Sequence, residues 1–507
     1  MMTRKAMGVK DLRLKFPGAS SLLFTDLSLA IEEGEKVLLL GPSGCGKSTL
    51  LQVLSGMIPQ SIDIPVKAEE VSLPESWGFL FQDPDTQFCM PFVDEELAFV
   101  LENLCLPQDQ MHARIEELLH MVGLRLENPH IPIQSLSQGM KQRLALASVL
   151  ALKPNALFLD EPTALLDPSG TIQIWQLIKQ LDIVQTVVIV EHKINEIIDY
   201  VDRVILLSPG GNIVADAQPE TLFTEYRSLL IDYGIWYPDV WEDYSILRKK
   251  NKATKGVITE EIWSPTLNIK SNNSVSETLI QLNQFMGYRG SEAKLNIAEA
   301  EVTRNDWIAI TGENGAGKST LLLALMQLIK TSGSYLLKGS QIEGFHTDLS
   351  SQIGYVFQNP EFQFVTNSVY DELAYSLKMM SIAQKQLEGT IAETITRFEL
   401  DGKENVHPYQ LSMGQKRRLS VATAMIMKKN LLLLDEPTFG QDAKNTFAIL
   451  EQLEQLRREG TTIIMVTHDM EIVKHFATKV WIIEKGTLAE QLKPIGNEEE
   501  QRLCKSI

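Results

Sequence analysis

The 507-residue chain predicts an α/β protein built from two copies of one phosphate-binding unit. Three observations predict it. The apolar run Val37-Leu38-Leu39-Leu40 leads into Gly41-Pro42-Ser43-Gly44-Cys45-Gly46-Lys47-Ser48-Thr49, and that string opens into Leu50-Leu51-Gln52-Val53-Leu54. This is a buried strand, a glycine-rich turn and a helix, at the G-x-x-x-x-G-K-[ST] spacing of a P-loop. The pattern returns as Gly312-Glu313-Asn314-Gly315-Ala316-Gly317-Lys318-Ser319-Thr320, after Trp307-Ile308-Ala309-Ile310. Lys318 lies 271 residues beyond Lys47 (318 − 47), a domain-sized offset. Finally, the shorter motifs between the loops recur in the same order in both halves.

The chemistry expected of each loop follows from its residues. Glycines let backbone N–H groups converge on a polyphosphate, and the helix N-terminus adds partial positive charge. Lys47 and Lys318 then reach the β- and γ-phosphates, while the Ser48 and Ser319 hydroxyls ligate Mg²⁺. ATP and Mg²⁺ are the expected ligands.

Composition sets outer bounds. The length suits two or three domains with proper cores. No apolar run approaches the roughly 18 residues of a membrane span, and Met1-Met2-Thr3-Arg4-Lys5 is not followed by a signal-peptide core. Cys45, Cys89, Cys105 and Cys504 show neither metal spacing nor a disulfide framework, which fits a reducing cytosol. A net charge of −18 argues against nucleic acid as the main partner.

In chain order, residues 8–40 read as short strands turned at Pro17-Gly18 and Glu33-Gly34. Phe16 in the first half and Tyr288 in the second stand where an aromatic could stack on adenine; a core position is the alternative. After each P-loop helix, a strand delivers a glutamine amide. The strings are Phe81-Gln82-Asp83-Pro84-Asp85-Thr86-Gln87-Phe88 and Phe357-Gln358-Asn359-Pro360-Glu361-Phe362-Gln363-Phe364. Gln82 and Gln358 can ligate Mg²⁺ or orient water without adding a buried charge.

Amphipathic helices are expected over Met111–Leu124, with Ile115, Leu118, Leu119 and Val122 on one face, and over Gln386–Leu400. Both lead to Leu136-Ser137-Gln138-Gly139-Met140 and Leu411-Ser412-Met413-Gly414-Gln415, which are either second anion sites or plain helix caps. Twenty-three residues later (137 to 160, 412 to 435) apolar strands end in Asp160-Glu161 and Asp435-Glu436. The first acid of each pair is expected to hold Mg²⁺ and the second to act as general base. Asp167 and Asp442 follow. Two further strands end at His192 and His468, expected to contact the γ-phosphate and the attacking water.

The motif order divides the chain into a first nucleotide-binding domain (1–225), a linker (226–278) carrying Trp236, Trp241 and Trp263, a second domain (279–490) and a charged tail (491–507).

P-loop, glutamine loop, signature, paired acids, following aspartate and histidine together resemble the ATP-binding cassette (ABC) ATPases over nearly the whole chain. The resemblance implies, for each half, a RecA-like parallel-sheet core, an antiparallel β subdomain and a helical subdomain. It implies a head-to-tail sandwich in which Lys47, Ser48, Asp160, Glu161 and His192 pair with Ser412 and Gly414. Lys318, Ser319, Asp435, Glu436 and His468 would pair with Ser137 and Gly139. The usual signature is Leu-Ser-Gly-Gly-Gln; Gln138, Met413 and Met140 depart from it. Both copies keep glutamate and histidine, so two hydrolytic sites are expected, the one using Met140's signature being the weaker in hydrolysis.

The glutamine-loop strings, with Val93-Asp94-Glu95-Glu96-Leu97-Ala98-Phe99 and Val369-Tyr370-Asp371-Glu372-Leu373-Ala374-Tyr375, look like the energy-coupling factor (ECF) class. The duplicated arrangement is similar to the fused ATPases of thiamine-precursor (hydroxymethylpyrimidine) systems. That class implies a transmembrane scaffold (T) subunit, a substrate-binding membrane (S) subunit, and peripheral residence at the cytoplasmic face of the membrane. Scaffold helices carrying arginines would dock near the glutamine loops, with Asp94, Glu95, Asp371 and Glu372 as candidate acids facing them. Cys45, close to Lys47, is expected to be a reactive thiolate protected by ATP.

Overall fold

The computed structural model describes residues 5–19, 21–180, 186–253, 277–344, 347–378, 384–427 and 429–492. Two compact units emerge: Met1–Ser245 with Asp442–Lys444, and Ile246–Gln441 with Asn445–Ile507.

In the first unit, runs of Val, Leu and Ile too apolar to alternate become fully buried strands. Lys36–Leu40 is flanked by Thr186–Val190 and Arg203–Leu207, and the sheet continues through Ala156–Asp160 to Trp77–Leu80, all parallel. Ile213–Ala217 closes one edge antiparallel. A second, antiparallel sheet pairs Lys5–Leu14 with Phe24–Glu32, whose alternating burial puts one face on the core. The helix Lys47–Leu54 lies between these layers. Leu50, Leu51 and Leu54 are buried in the same apolar cluster as Val37, Leu39 and Phe158. At about 2 kcal/mol per buried leucine, this packing holds the helix N-terminus against the strand that feeds it.

The second unit repeats the plan. Its parallel order is Lys479–Glu484, Trp307–Thr311, Thr462–Val466, Leu431–Asp435, Ile353–Val356. Here the antiparallel layer, Thr278–Arg289 with Glu292–Thr303, joins the same sheet through the Asn296–Thr487 pairing. Helices Gln108–Met121 and Gln384–Arg397 bury Ile115, Leu118 and Leu119 and Leu387, Ile391 and Ile395 respectively, the 3.6-residue stripe read from the sequence.

Of the stretch expected to link the halves, 227–245 is packed, with helices Arg227–Asp232 and Val240–Ala253 joined by a turn. Leu230, Ile235, Tyr237, Val240 and Tyr244 are buried. Arg227 pairs with Asp243 at 2.8 Å and with Asp239 at 3.3 Å. Trp241 lies between Trp236 and Tyr244, at ring distances of 6.3 and 5.9 Å. Trp263 and the expected tail beyond residue 492 lie outside the described residues.

Candidate active site

Each P-loop needs glycine for steric reasons that the structure makes explicit. Gly46 and Gly317 cap their helices at φ 102° and 108°, in the left-handed region. A Cβ on Gly46 would come within 2.8 Å of the Phe24 ring. At Gly44 and Gly315 nothing among the described residues lies within 4 Å of the Cβ position, so the middle of each loop is an open cradle. Lys47 Nζ arches back to donate to Gly41 O at 2.7 Å and Pro42 O at 3.0 Å. Lys318 Nζ does the same to Gly312 O and Glu313 O, at 2.7 and 2.8 Å.

The acids stand at the C-terminal ends of Ala156–Asp160 and Leu431–Asp435, each one strand removed from its P-loop strand, where open parallel sheets gather ligands. Ser48 Oγ donates to Asp160 Oδ1 at 2.9 Å. Burial pushes the Asp160 carboxyl up to about 6, aided by the Glu161 charge and opposed by the Ser48 bond. Burial likewise pushes Asp435 up to about 6, with Ser319 bonding against it, and Asp435 Oδ1 has no hydrogen-bond partner among the described residues. A buried carboxylate oxygen without a donor, beside a hydroxyl, fits a hard divalent cation. Ser48 with Asp160, and Ser319 with Asp435, therefore suit Mg²⁺.

Glu161 and Glu436 hold φ of 48° and 50°, a conformation that costs a non-glycine residue about 1 kcal/mol. Their amides donate across the sheet to Val190 O and Val466 O, which locks the turn. Glu161 Oε1 then lies 3.1 Å from His192 Nε2, and Glu436 Oε1 lies 3.3 Å from His468 Nε2. The second pair is at ion-pair distance but is not directed as a hydrogen bond. Burial alone would raise Glu161; the His192 hydrogen bond and charge, with Lys47, bring it below the usual carboxylate range. Against its own burial, His192 is raised by Glu161. Gln82 Nε2 donates to Glu161 Oε2 at 2.8 Å.

The remaining expected residues fall elsewhere. Ser137 and Ser412 are helix N-caps, accepting from Met140 N and Gln415 N at 3.3 Å each. Gln415 also reaches back to Ser412 N at 3.1 Å, a capping box that Met140 cannot make. Gly139 and Gly414 follow in the first turns of these helices. Phe16 is exposed beyond the first strand, and Tyr288 is half-buried, its hydroxyl 3.1 Å from Ser332 Oγ.

Two expectations are corrected. Cys45 is 1% exposed, and burial raises its thiol more than Lys47 lowers it, so it is no reactive thiolate. Glu372 does not face outward: it is buried and accepts from Val365 N, Thr366 N and Thr366 Oγ1 at 3.1, 2.9 and 2.7 Å. Glu96 does the same for Cys89 N and Met90 N, at 2.8 Å each.

Sequence reasoning missed several residues that shape the site. Buried Glu191 accepts from Thr163 Oγ1 at 2.9 Å and from His192 N at 2.9 Å, standing behind the histidine. Lys141 pairs with Asp85 at 2.7 Å and Lys416 with Glu361 at 2.5 Å, tying each signature helix to its own glutamine loop. The second glutamines reinforce the tie. Gln87 Nε2 donates to Ala145 O at 3.1 Å, and Gln363 Nε2 donates to Ser420 O at 2.8 Å. Their exact recurrence in both strings was the available signal.

Fold and site together define a duplicated P-loop ATPase. The ABC transporter family model matches residues 24–164 and 295–439, and the chain belongs to that family. It is an ATPase that binds ATP with Mg²⁺. A Bacillus subtilis (strain 168) protein described as the putative HMP/thiamine import ATP-binding protein YkoD is 36% identical over 502 residues, 95% of this chain and 90% of its own. A putative ABC transporter ATP-binding protein of Methanosarcina acetivorans is 33% identical over 529 residues, 96% of this chain and 85% of its own. Among solved structures, the archaeal ribosome recycling factor aABCE1, in complex with the ribosomal stalk protein aP1, matches with a TM-score of 0.64 at 19% identity. That match covers 98% of this chain and 92% of that one, and the likeness is one of fold.

Proposed function

We propose that the chain is the energy-coupling ATPase of an ECF-type importer for a vitamin, vitamin precursor or metal. It would work with a T scaffold and an S substrate-binding subunit at the cytoplasmic face of the membrane. The observation that carries the hydrolytic part is the glutamate–histidine pair, present in both halves at 3.1 and 3.3 Å. Lys47 and Lys318 hold the β- and γ-phosphates, with Thr49, Thr320 and the loop amides around them. Phe16 and Tyr288 stack on adenine. Ser48, Gln82 and Asp160, and Ser319, Gln358 and Asp435, hold Mg²⁺, which neutralises phosphate charge as the terminal bond breaks. Glu161 and Glu436 take the proton of the attacking water, while His192 and His468 keep each carboxylate aimed and contact the γ-phosphate.

Each ATP is completed by the signature serine and glycine of the opposite half, Ser412 with Gly414 or Ser137 with Gly139. Closing on ATP and opening after hydrolysis is the motion handed to the membrane subunits.

Support for a membrane partner lies beside the second glutamine loop. Phe362 is 75% exposed and Val365 68% exposed, and Tyr409 stands next to them with its hydroxyl on Glu361 O at 3.2 Å. An apolar face at the loop that would sense ATP suits a partner helix. Among the described residues no helix is long and apolar enough to cross a membrane. The name of the Bacillus subtilis relative favours import of a thiamine precursor. Affinity purification from solubilised membranes tests the reading. Co-purifying T and S subunits are expected; recovery with ribosomal RNA instead would support a soluble translation factor and overturn it.

A further inference from the structure

The two halves differ at the buried position five residues after each signature serine. Arg417 in the second half is 3% exposed, and Gln142 at the matching place in the first is 2% exposed. Arg417 Nη1 donates to Phe357 O at 3.0 Å and Nη2 to Gln358 O at 2.6 Å. One planar fork thus pins two consecutive carbonyls of the second glutamine loop, a geometry a glutamine cannot reproduce. Burial draws the guanidinium down to about 10, so it remains a cation at neutral pH, facing Glu436 and Asp435.

In the first half, Gln142 Nε2 has no hydrogen-bond partner among the described residues. The glutamine loop there lacks the fork, and its Gln82 side chain is engaged by Glu161 at 2.8 Å. Gln358 makes no matching bond to Glu436 among the described residues. The Asp85–Lys141 and Glu361–Lys416 ion pairs are shared, and so is the bond from each second glutamine to a helix carbonyl. Gln363 has two more holds, from Ser420 Oγ at 2.8 Å and to Thr423 Oγ1 at 2.5 Å, but these act on the second glutamine. At the carbonyls of Phe357 and Gln358 themselves the asymmetry resides in the arginine.

We propose that Arg417 is a positioning residue that holds Gln358 ready for the metal, whereas Gln82 must first leave Glu161, so that Mg²⁺–nucleotide binds more tightly at the Lys318 site than at the Lys47 site. The inference rests on the reading that Gln82 and Gln358 ligate Mg²⁺. On the head-to-tail arrangement proposed above, the signature helix that serves one nucleotide is joined, through Arg417, to the glutamine loop serving the other, and this fork exists in one half only.

The test uses the full chain and the fluorescent analogue TNP-ATP, titrated with and without Mg²⁺. A Lys47→Ala background reads the second site, and a Lys318→Ala background reads the first. The quantity compared is the gain in affinity that Mg²⁺ confers. Arg417→Gln is expected to cut that gain at the second site about tenfold, the low end for outer-sphere partners of a metal ligand. Gln142→Arg is expected to raise it at the first site. General damage to the fold would weaken binding with and without Mg²⁺ alike and leave the gain unchanged. Should Arg417→Gln fail to fold, Gln142→Arg decides alone. An unchanged gain in the folded variants overturns the inference, provided Gln358→Ala and Gln82→Ala do reduce it. If those two leave the gain intact, it is the metal-ligand reading itself that falls.

Discussion

His192 Nε2 faces Glu161 Oε1 at 3.1 Å, and each residue moves the other's titration. The folded Glu161 lies below its ordinary 4.5 and the folded His192 above its ordinary 6.5. A lowered acid stabilises the fold above its ordinary value and loses that contribution as pH falls through the folded one. A raised histidine stabilises below 6.5 and loses its contribution as pH climbs through the folded one. The pair is therefore worth most between these limits. Glu161→Gln is expected to cost about 1–2 kcal/mol at pH 6, and visibly less at pH 9. Urea midpoints at the two pH values measure it; equal losses at both would show that the pair carries no charge.

The same carboxylates can be separated from binding. Replacing Glu161 and Glu436 together by Gln keeps size and hydrogen bonding but removes the base. Phosphate release should fall at least ~100-fold, the scale of general-base catalysis, while TNP-ATP affinity stays near that of the parent chain. A double variant with undiminished turnover would remove both glutamates from the mechanism.

What the sequence revealed, and what it hid, follows from distance along the chain. The strand–loop–helix units were legible because backbone geometry within about ten residues demands their glycines, and because buried strands show as unbroken Val, Leu and Ile runs. The acids and histidines were legible because they end such strands. Lys141 and Asp85 are 56 residues apart, and nothing local marks them as a pair. Glu372 looked like surface charge in a helix's first turn. The structure shows it reaching back, past the capping Ser368, to the amides of Val365 and Thr366, a contact that no local spacing rule marks. Glu191 was read past because the strand before it looked complete.

Cys45 offers a check on burial against local field. Its Sγ occupies the space beside Gly41, 2.6 Å from where a Cβ would sit there, and desolvation keeps it a thiol. Iodoacetamide labelling of the native chain, read by peptide mass spectrometry, should modify the exposed Cys89 and Cys105 and spare Cys45. Addition of ATP should leave the Cys45 result unchanged. Rapid labelling of Cys45 in the folded protein would mean that the loop opens far more readily than its packing implies.

The last prediction separates a docking role from a folding role on one short stretch. Phe362 and Val365 are exposed, yet the chain between and around them is fixed from within. Gln363 is held by Ser420, and the Val365 and Thr366 amides end on buried Glu372. Phe362→Asp with Val365→Asp should therefore leave thermal stability and basal ATP hydrolysis nearly untouched, since exposed substitutions away from such contacts cost within about 0.5 kcal/mol. The same variant should lose most of its co-purification with membrane subunits, because two carboxylates would have to be desolvated at the contact. Glu372→Ala should behave in the opposite order. It strands the Val365 and Thr366 amides, and at about 1–3 kcal/mol for a buried group left unsatisfied it should lower stability before it affects any partner. If the aspartate variant keeps full co-purification, the apolar face is not where the membrane subunits bind.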